Sequence, residues 1–411
     1  MLIAMDKLCI LFSRAFDIIE EEQIGASERH SIRVAALCAE MGKRLGFDGD
    51  ALLGIAICAM FHDNALTEYH LSLREDKVTG RNMRLHCEKG QSNVSWLPFK
   101  KSIDGFILYH HESSAGTGPF KKLEGEYPFE AALIAAADSI DVAYKLQKIA
   151  PGGLPALRDK IAENAAKYST RYATEVLLEV LDDDVLEGLR DENIARTLEN
   201  SLPRWEVSSS DPGVIRAAGF VSRVIDYKSH FTQKHTSQIA NRAWIMAEHY
   251  GYDADEKAAL FLAASLHDIG KIATPTEILE KPGALDPDEF RIIKDHVRYT
   301  REFLNDVPDL EPISSWASDH HEKLDGTGYS KGKDSGALDF NARLMACIDI
   351  YQAVSEPRPY HDARTHEETM EILNSMASKG FVDAGIVKDV DAVMAAYEAR
   401  DVPSPIAESE N

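Results

Sequence analysis

The chain of 411 residues carries 68 Asp and Glu against 45 Lys and Arg, a formal charge of −23. A length on this scale predicts two to three domains, which an internal repeat narrows to two, each large enough to bury its own core. The acidic balance excludes broad electrostatic binding to nucleic-acid polymers or anionic membrane, which needs a basic face to displace counterions, but divalent cations in a pocket could still receive a small phosphate substrate. Five cysteines occur singly, with no C-x-x-C spacing, and read as reduced thiols. The N-terminus has acid and base by Asp6 and Lys7, and no apolar run is long enough to span a bilayer, so a cytoplasmic protein is expected.

From the start of the chain, Leu8, Leu11, Phe12, Ala15, Ile18 and Ile19 fall at helical spacing and predict an amphipathic helix over residues 1–25. A second helix is expected from His30 through Ile32, Leu37, Met41 and Leu45 to Gly46. The nearly all-apolar run Ala51–Phe61 reads as a helix threaded through a core, with His62-Asp63 at its end. A polar stretch from Thr67 to Arg84 leads to His86, Ile103–Tyr109 delivers His110-His111, and an apolar helix from Ala131 carries Asp138 and Asp141. Residues 155–200 read as closing helices of a first domain. Pro203 and the Ser208–Gly213 run mark a boundary, dividing the chain into 1–205 and 206–411. A leading helix from Val214 follows; then Ile239, Ala243, Met246 and Tyr250 form one face after His235, and Ala259, Leu262 and Leu266 one face before His267. β-branched alternation is scarce, which predicts an all-α protein of two tandem helical bundles.

Both halves carry one ordered series of metal-binding side chains. His30, His62-Asp63, His86, His110-His111 and Asp138 in the first match His235, His267-Asp268, His296, His320-His321 and Asp349 in the second. The step from His30 to His62 equals that from His235 to His267, at 32 residues, and His86 to His110 equals His296 to His320, at 24. Such register marks an internal duplication of a metal site. Any one of these histidines alone would be read as a core or surface residue.

Imidazole and carboxylate together suit divalent first-row metals, and the absence of Cys from the set speaks against a zinc-ribbon site. Seven donors are too many for one catalytic ion with an open position. They suit two, with Asp268 shared between them and His267 terminal on one. Two such ions can activate water and stabilise both entering and leaving oxygens in phosphoryl displacement, so a phosphoester hydrolase is the expected class. Lys271, one turn beyond His267, can face the same cavity and donate to a phosphate oxygen, although a lysine facing solvent is the plainer alternative. Glycines in the loop His321–Tyr329 let backbone approach a ligand, and Arg358 is a candidate phosphate clamp. His230, His249, His361 and His366 occupy no repeated position and read as structural or exposed.

On these residues the second half resembles the HD-GYP family of HD-domain phosphohydrolases. The resemblance covers about residues 214–395, through His235-Thr-Ser-Gln-Ile, His267-Asp-Ile-Gly-Lys271, Ile278-Leu-Glu-Lys-Pro-Gly-Ala-Leu285, His296, His320-His-Glu-Lys-Leu-Asp-Gly-Thr-Gly-Tyr329, Asp349 and Arg358-Pro-Tyr360. It implies an all-helical fold and hydrolysis of a cyclic dinucleotide second messenger, cyclic di-GMP or 3'3'-cyclic GMP-AMP, to the linear dinucleotide. By resemblance one ion takes His235, His267, Asp268 and Asp349, and the other Asp268, His296, His320 and His321; Fe or Mn comes first, with Ni, Co, Zn or Mg as alternatives. Asp268 and Lys271 are the expected catalytic residues, and Lys271, Asp325, Gly326 and Arg358 the substrate contacts. A diguanylate-cyclase-type protein and a second copy of the chain are the protein partners the resemblance admits.

Three departures stand out. Ser330 replaces the family's terminal Pro, Phe231 stands where members with a third metal carry Glu, so two metals are expected, and a second, altered copy of the repeat replaces a sensor domain at the front. That first copy keeps every donor type, at His30, His62, Asp63, His86, His110, His111 and Asp138, but Leu66 stands for Lys271, Ala115 for Asp325 and Pro119 for Tyr329. It is expected to bind metal and to turn over substrate poorly or not at all. The competing readings are a silent cyclic-dinucleotide receptor and a general HD nucleotide phosphohydrolase.

Overall fold

The computed structural model describes residues 1–24, 28–65, 80–227, 235–281, 283–308, 310–329, 331–356 and 363–398. Two compact units divide the chain, one formed by Ala4–Glu206, the other by the chain from Val207 onward with Met1–Ile3. The described residues are overwhelmingly helical, as the scarcity of alternation predicts; their only strands are the three-residue Leu2–Ala4 and Glu206–Ser208. No described helix is long and apolar enough to cross a membrane.

In the first unit the helix Met5–Ile24 leads into His30–Arg44, Gly49–Met60, Gly80–Val94 and Phe129–Tyr144, and shorter helices from Leu154–Glu163 to Ile194–Ser201 close the bundle. Gly49–Met60 is buried on every side from Leu52 to Met60, which is why its sequence is apolar all round. Asp48 fixes its start by accepting the Ala51 N–H at 2.9 Å. The second unit repeats the order with Pro212–Tyr227, His235–His249, Ala254–Leu266, His296–Asn305, Glu311–Ser318 and Phe340–Ser355, then adds His366–Ser378 and Ala384–Glu398. Its central helix Ala254–Leu266 is buried from Ala258 to Leu266 and starts in a capping box between Asp253 and Glu256.

One device in each unit joins the leading helix to the first histidine. Asp17 accepts the backbone N–H of Ser31 at 2.8 Å, and Asp226 that of Thr236 at 3.1 Å, so a buried carboxylate on the leading helix seats the helix that opens with His30 or His235. The two units part company before the His-His pairs. Glu311–Ser318 is a regular helix, whereas residues 103–110 form successive turns, with Gly105 at φ +85° and the Gln91 side chain accepting the N–H groups of Ile107 and Leu108.

A close approach of backbone to backbone sets the spacing between His267 and His296. Gly270 lies so near the start of His296–Asn305 that a Cβ there would fall 1.9 Å from the His296 carbonyl oxygen. Thr300 completes the contact, its hydroxyl accepting from the Gly270 N–H at 3.0 Å and donating to the His267 carbonyl at 2.9 Å. The first unit solves the same problem in reverse: Ala65 stands at the position of Gly270, and Gly90 at that of Thr300. Gly270→Ala is therefore expected to lower stability by about 3 kcal/mol in a denaturant melt through overpacking. Gly251→Ala, at φ +69° with open space around it, should cost only about 1 kcal/mol.

Candidate metal centre

Helix ends deliver the histidines of the second unit. His267 follows Ala254–Leu266, His296 follows Pro287–Lys294, and His320 comes two residues after Glu311–Ser318. Each places its Nδ1 on the carbonyl oxygen three residues back: Ala264 at 2.7 Å, Ile293 at 2.6 Å and Ala317 at 2.6 Å. A carbonyl only accepts, so each Nδ1 donates and each Nε2 is turned toward the centre. His235 is oriented by a carboxylate instead, Glu356 Oε2 lying 2.8 Å from its Nδ1.

The carboxylate of Asp268 divides these rings into two groups. Its Oδ2 lies 3.2 Å from His267 Nε2 and 3.8 Å from His235 Nε2, while its Oδ1 faces His296 Nε2 at 3.4 Å. Asp349 closes the other side, with Oδ1 3.7 Å from His235 Nε2 and Oδ2 3.8 Å from His321 Nδ1. Donor atoms of His235, His267 and Asp268 all lie within 4.8 Å of one another, as do those of His296, His320 and His321. The set is buried apart from the half-exposed His321, Asp268 being 2 % exposed.

Electrostatics move these donors in opposite directions. Burial drives His296 down to about 3 and His320 to about 4, so both rings are neutral. Burial would raise the Asp268 carboxyl, but His267 and Lys271 outweigh it and hold it well below the carboxylate range. His235 moves the other way: burial opposes its charge, yet Asp349 and Glu356 pull it up to about 9. His267 Nε2 and Asp268 Oδ1 are buried without a hydrogen-bond partner, although a buried polar atom left so is costly. A cation between the two groups satisfies them, and the all-N/O donor set fits a first-row divalent ion.

The first unit assembles its seven predicted donors in the same way. His62 and His110 place Nδ1 on the carbonyls of Ala59 and Ile107, at 2.9 and 2.6 Å. Asp63 again divides the set, with Oδ2 3.5 Å from His62 Nε2 and Oδ1 3.0 Å from His86 Nε2 and 3.7 Å from His110 Nε2. His30 Nε2 lies 3.2 Å from Asp138 Oδ1. Two groups result, His30 with His62 and Asp138, and Asp63 with His86, His110 and His111.

Of the predicted substrate contacts, Lys271 reaches the centre, its Nζ 2.5 Å from Asp268 Oδ2. Asp325 and Gly326 lie in the loop after His321, where Asp325 accepts from the Thr327 N–H at 3.0 Å and the Thr327 hydroxyl at 2.8 Å, and Gly326 takes φ +76°. Tyr329 returns over the site and packs on His321, ring centroids 4.7 Å apart, with Lys294 Nζ 5.1 Å from its centroid. Arg358, Ser330, Phe231 and Leu66, with His230 and His361, lie outside the described residues. His366 is structural, joining the Tyr351 hydroxyl at 2.8 Å to Asp391 at 2.9 Å.

Several supporting residues escaped the sequence reading. Glu322 accepts the N–H groups of Lys331, Gly332 and Lys333 at 2.6, 3.1 and 3.1 Å, pinning the loop beside the His-His pair. Glu112 does the same for Phe120 and Lys122 at 2.6 and 2.8 Å. The signal was available, since Glu directly follows the His-His pair in both repeats. Gly118 and Gly328 let these loops close, because a Cβ at Gly328 would fall 2.4 Å from Glu322 Cα. Glu356 had no such signal; its equivalent in the first half is Lys145.

Residues 11–146 and 219–386 match the HD domain family. Over 389 residues, 91% of this chain and 88% of the relative, the sequence is 26% identical to 3'3'-cGAMP-specific phosphodiesterase 1 of Vibrio cholerae. Over 163 residues, 39% of this chain and 43% of the relative, it is 32% identical to the cyclic di-GMP phosphodiesterase response regulator RpfG of Xanthomonas campestris. The fold is similar, at a TM-score of 0.64 and 18% identity, to the crystal structure of a cyclic GMP-AMP specific phosphodiesterase of Vibrio cholerae, covering 98% of this chain and 99% of that one.

Removing a group that orients a ligand weakens metal binding without removing a donor. Glu356→Ala, which frees His235 Nδ1, is expected to lower metal affinity of the second unit by about 10–100-fold in a competitive titration with a chromophoric chelator. Unchanged affinity would show that His235 is not held through Glu356.

Proposed function

The chain belongs to the HD domain family, and we propose that its second repeat, residues 206–411, is a phosphodiesterase that opens a cyclic dinucleotide to the linear dinucleotide. One observation carries this reading: Asp268 stands between two groups of inward-facing imidazoles, with Lys271 beside it. That arrangement suits two divalent ions, Fe or Mn before Ni, Co, Zn or Mg, held by His235, His267, Asp268 and Asp349 on one side and Asp268, His296, His320 and His321 on the other. When bound, such ions supply an activated water and neutralise charge on the phosphate.

The chain's own residues do the rest. Asp268 keeps the two donor groups in fixed register, and the hydrogen bonds of His267, His296 and His320 hold the rings rigid so that no reorganisation accompanies the reaction. Lys271 can leave Asp268 for a non-bridging phosphate oxygen, and Arg358, by its place in the family motif, is the second phosphate contact. The loop pinned by Glu322 carries Asp325 and Gly326 to the substrate side. Water adds across one phosphodiester linkage; one P–O bond breaks, and its oxygen leaves with a proton as a ribose hydroxyl.

Between candidate substrates, 3'3'-cyclic GMP-AMP is favoured over cyclic di-GMP. A relative named for the former aligns with 91% of this chain, through both repeats, whereas relatives named for the latter align with 39% and 56%. The five cysteines, buried and unpaired, support a cytoplasmic setting. Protein partners, a diguanylate-cyclase-type enzyme or a second copy, belong to the same reading through its family resemblance.

The Mn- or Fe-loaded protein is expected to linearise 3'3'-cyclic GMP-AMP faster than cyclic di-GMP in a chromatographic assay, and His267→Ala/Asp268→Ala to abolish both reactions. Lys271→Ala should lower kcat by about 10²-fold, as loss of one charge-stabilising donor does. Absence of turnover with ions bound would favour a receptor role and direct measurement to nucleotide affinity.

A further inference from the structure

The reading above makes no use of the first unit's donors, and their support is rebuilt rather than lost. We propose that the seven donors around Asp63 form a structural centre for first-row divalent cations, tied through a buried Asp141–Arg33 ion pair to the helices that close the first unit.

The donors themselves are poised for a cation. His62 Nε2, His110 Nε2 and both ring nitrogens of His86 have no hydrogen-bond partner, and these side chains are at most 2 % exposed. Asp63 faces His86 Nε2 and His110 Nε2, at 3.0 and 3.7 Å, and as in the second unit one carboxylate lies between the two groups of rings.

What differs is the support of the first histidine. His30 Nδ1 lies 2.7 Å from Asp141 Oδ2, and Arg33, wholly buried, grips the same carboxylate side-on, Nε to Oδ1 at 3.0 Å and Nη2 to Oδ2 at 2.9 Å. In the second unit these two positions are Gln238 and Gln352, joined amide to amide at 2.5 Å. There the supporting carboxylate is Glu356, one helical turn farther on. The first unit has thus drawn the carboxylate inward by a turn and matched it with a guanidinium, as a buried charge requires.

Arg33 extends the connection. Its Nη1 donates to the Glu28 carbonyl at 2.5 Å and faces Asp191 Oδ1 at 3.4 Å, while Arg29 donates to the Asp191 carbonyl. Asp191 sits between the helices Asp183–Gly188 and Ile194–Ser201. A continuous line therefore runs from the ligand His30 through Asp141 and Arg33 to the closing helices. Leu66 and Ala115, in place of Lys271 and Asp325, leave the site with donors for a cation but without the accessory groups for phosphate.

The test uses the full-length protein, reconstituted with Mn, desalted and read by elemental analysis and thermal unfolding. Wild type should hold about four ions per chain, two per site, and His267→Ala/Asp268→Ala about two. In that background the remaining ions belong to the first unit, and chelation should lower the melting temperature. Adding Arg33→Gln/Asp141→Gln, which copies the amide pair of the second unit, should weaken the remaining ions by about 10–100-fold while the helical circular dichroism persists. No ions in His267→Ala/Asp268→Ala would overturn the site, whatever the second unit hydrolyses. Ions present but without effect on melting, or untouched by Arg33→Gln/Asp141→Gln, would overturn its structural role.

Discussion

The hydrogen bond from an imidazole Nδ1 to the carbonyl three residues upstream is the interaction on which the rest of both sites depends. The last carbonyls of a helix have no intrahelical donor. A histidine just past the helix end can supply one, as His62, His267, His296 and His320 do. The same bond fixes the tautomer and turns Nε2 toward the centre. Ending the helix and presenting the ligand are one act, which is why the donors gather where several helices stop.

Around that bond the two units diverge without losing the donors. The backbone approach near His267 is secured by Gly270 against Thr300, while the first unit has Ala65 and Gly90 at those positions. The clamp on the loop after the His-His pair is kept in both, as Glu322 and Glu112. Support of the first histidine is exchanged, Glu356 in one unit and Asp141 with Arg33 in the other. Lys271 marks a chemical difference between the units, since it faces the dividing carboxylate of the second and its counterpart in sequence is Leu66.

The duplication, the helical class and the residues that the fold gathers around Asp63 and Asp268 were legible in the sequence, because spacing along a helix and the choice of His or Asp are local properties repeated in register. Of the supporting residues only Glu322 and Glu112 left a signal there, directly after the His-His pairs. Glu356 and Asp141 reach their histidines from 121 and 111 residues away, and nothing local marks them. Arg33 drew no reading in the sequence, and the fold buries it completely. Sequence by itself thus determined what could bind: two copies of an N/O donor set of fixed order. Only the tertiary structure decided how the donors are held, because the orientation of a ring depends on which carbonyl or carboxylate the folded chain brings to its far nitrogen.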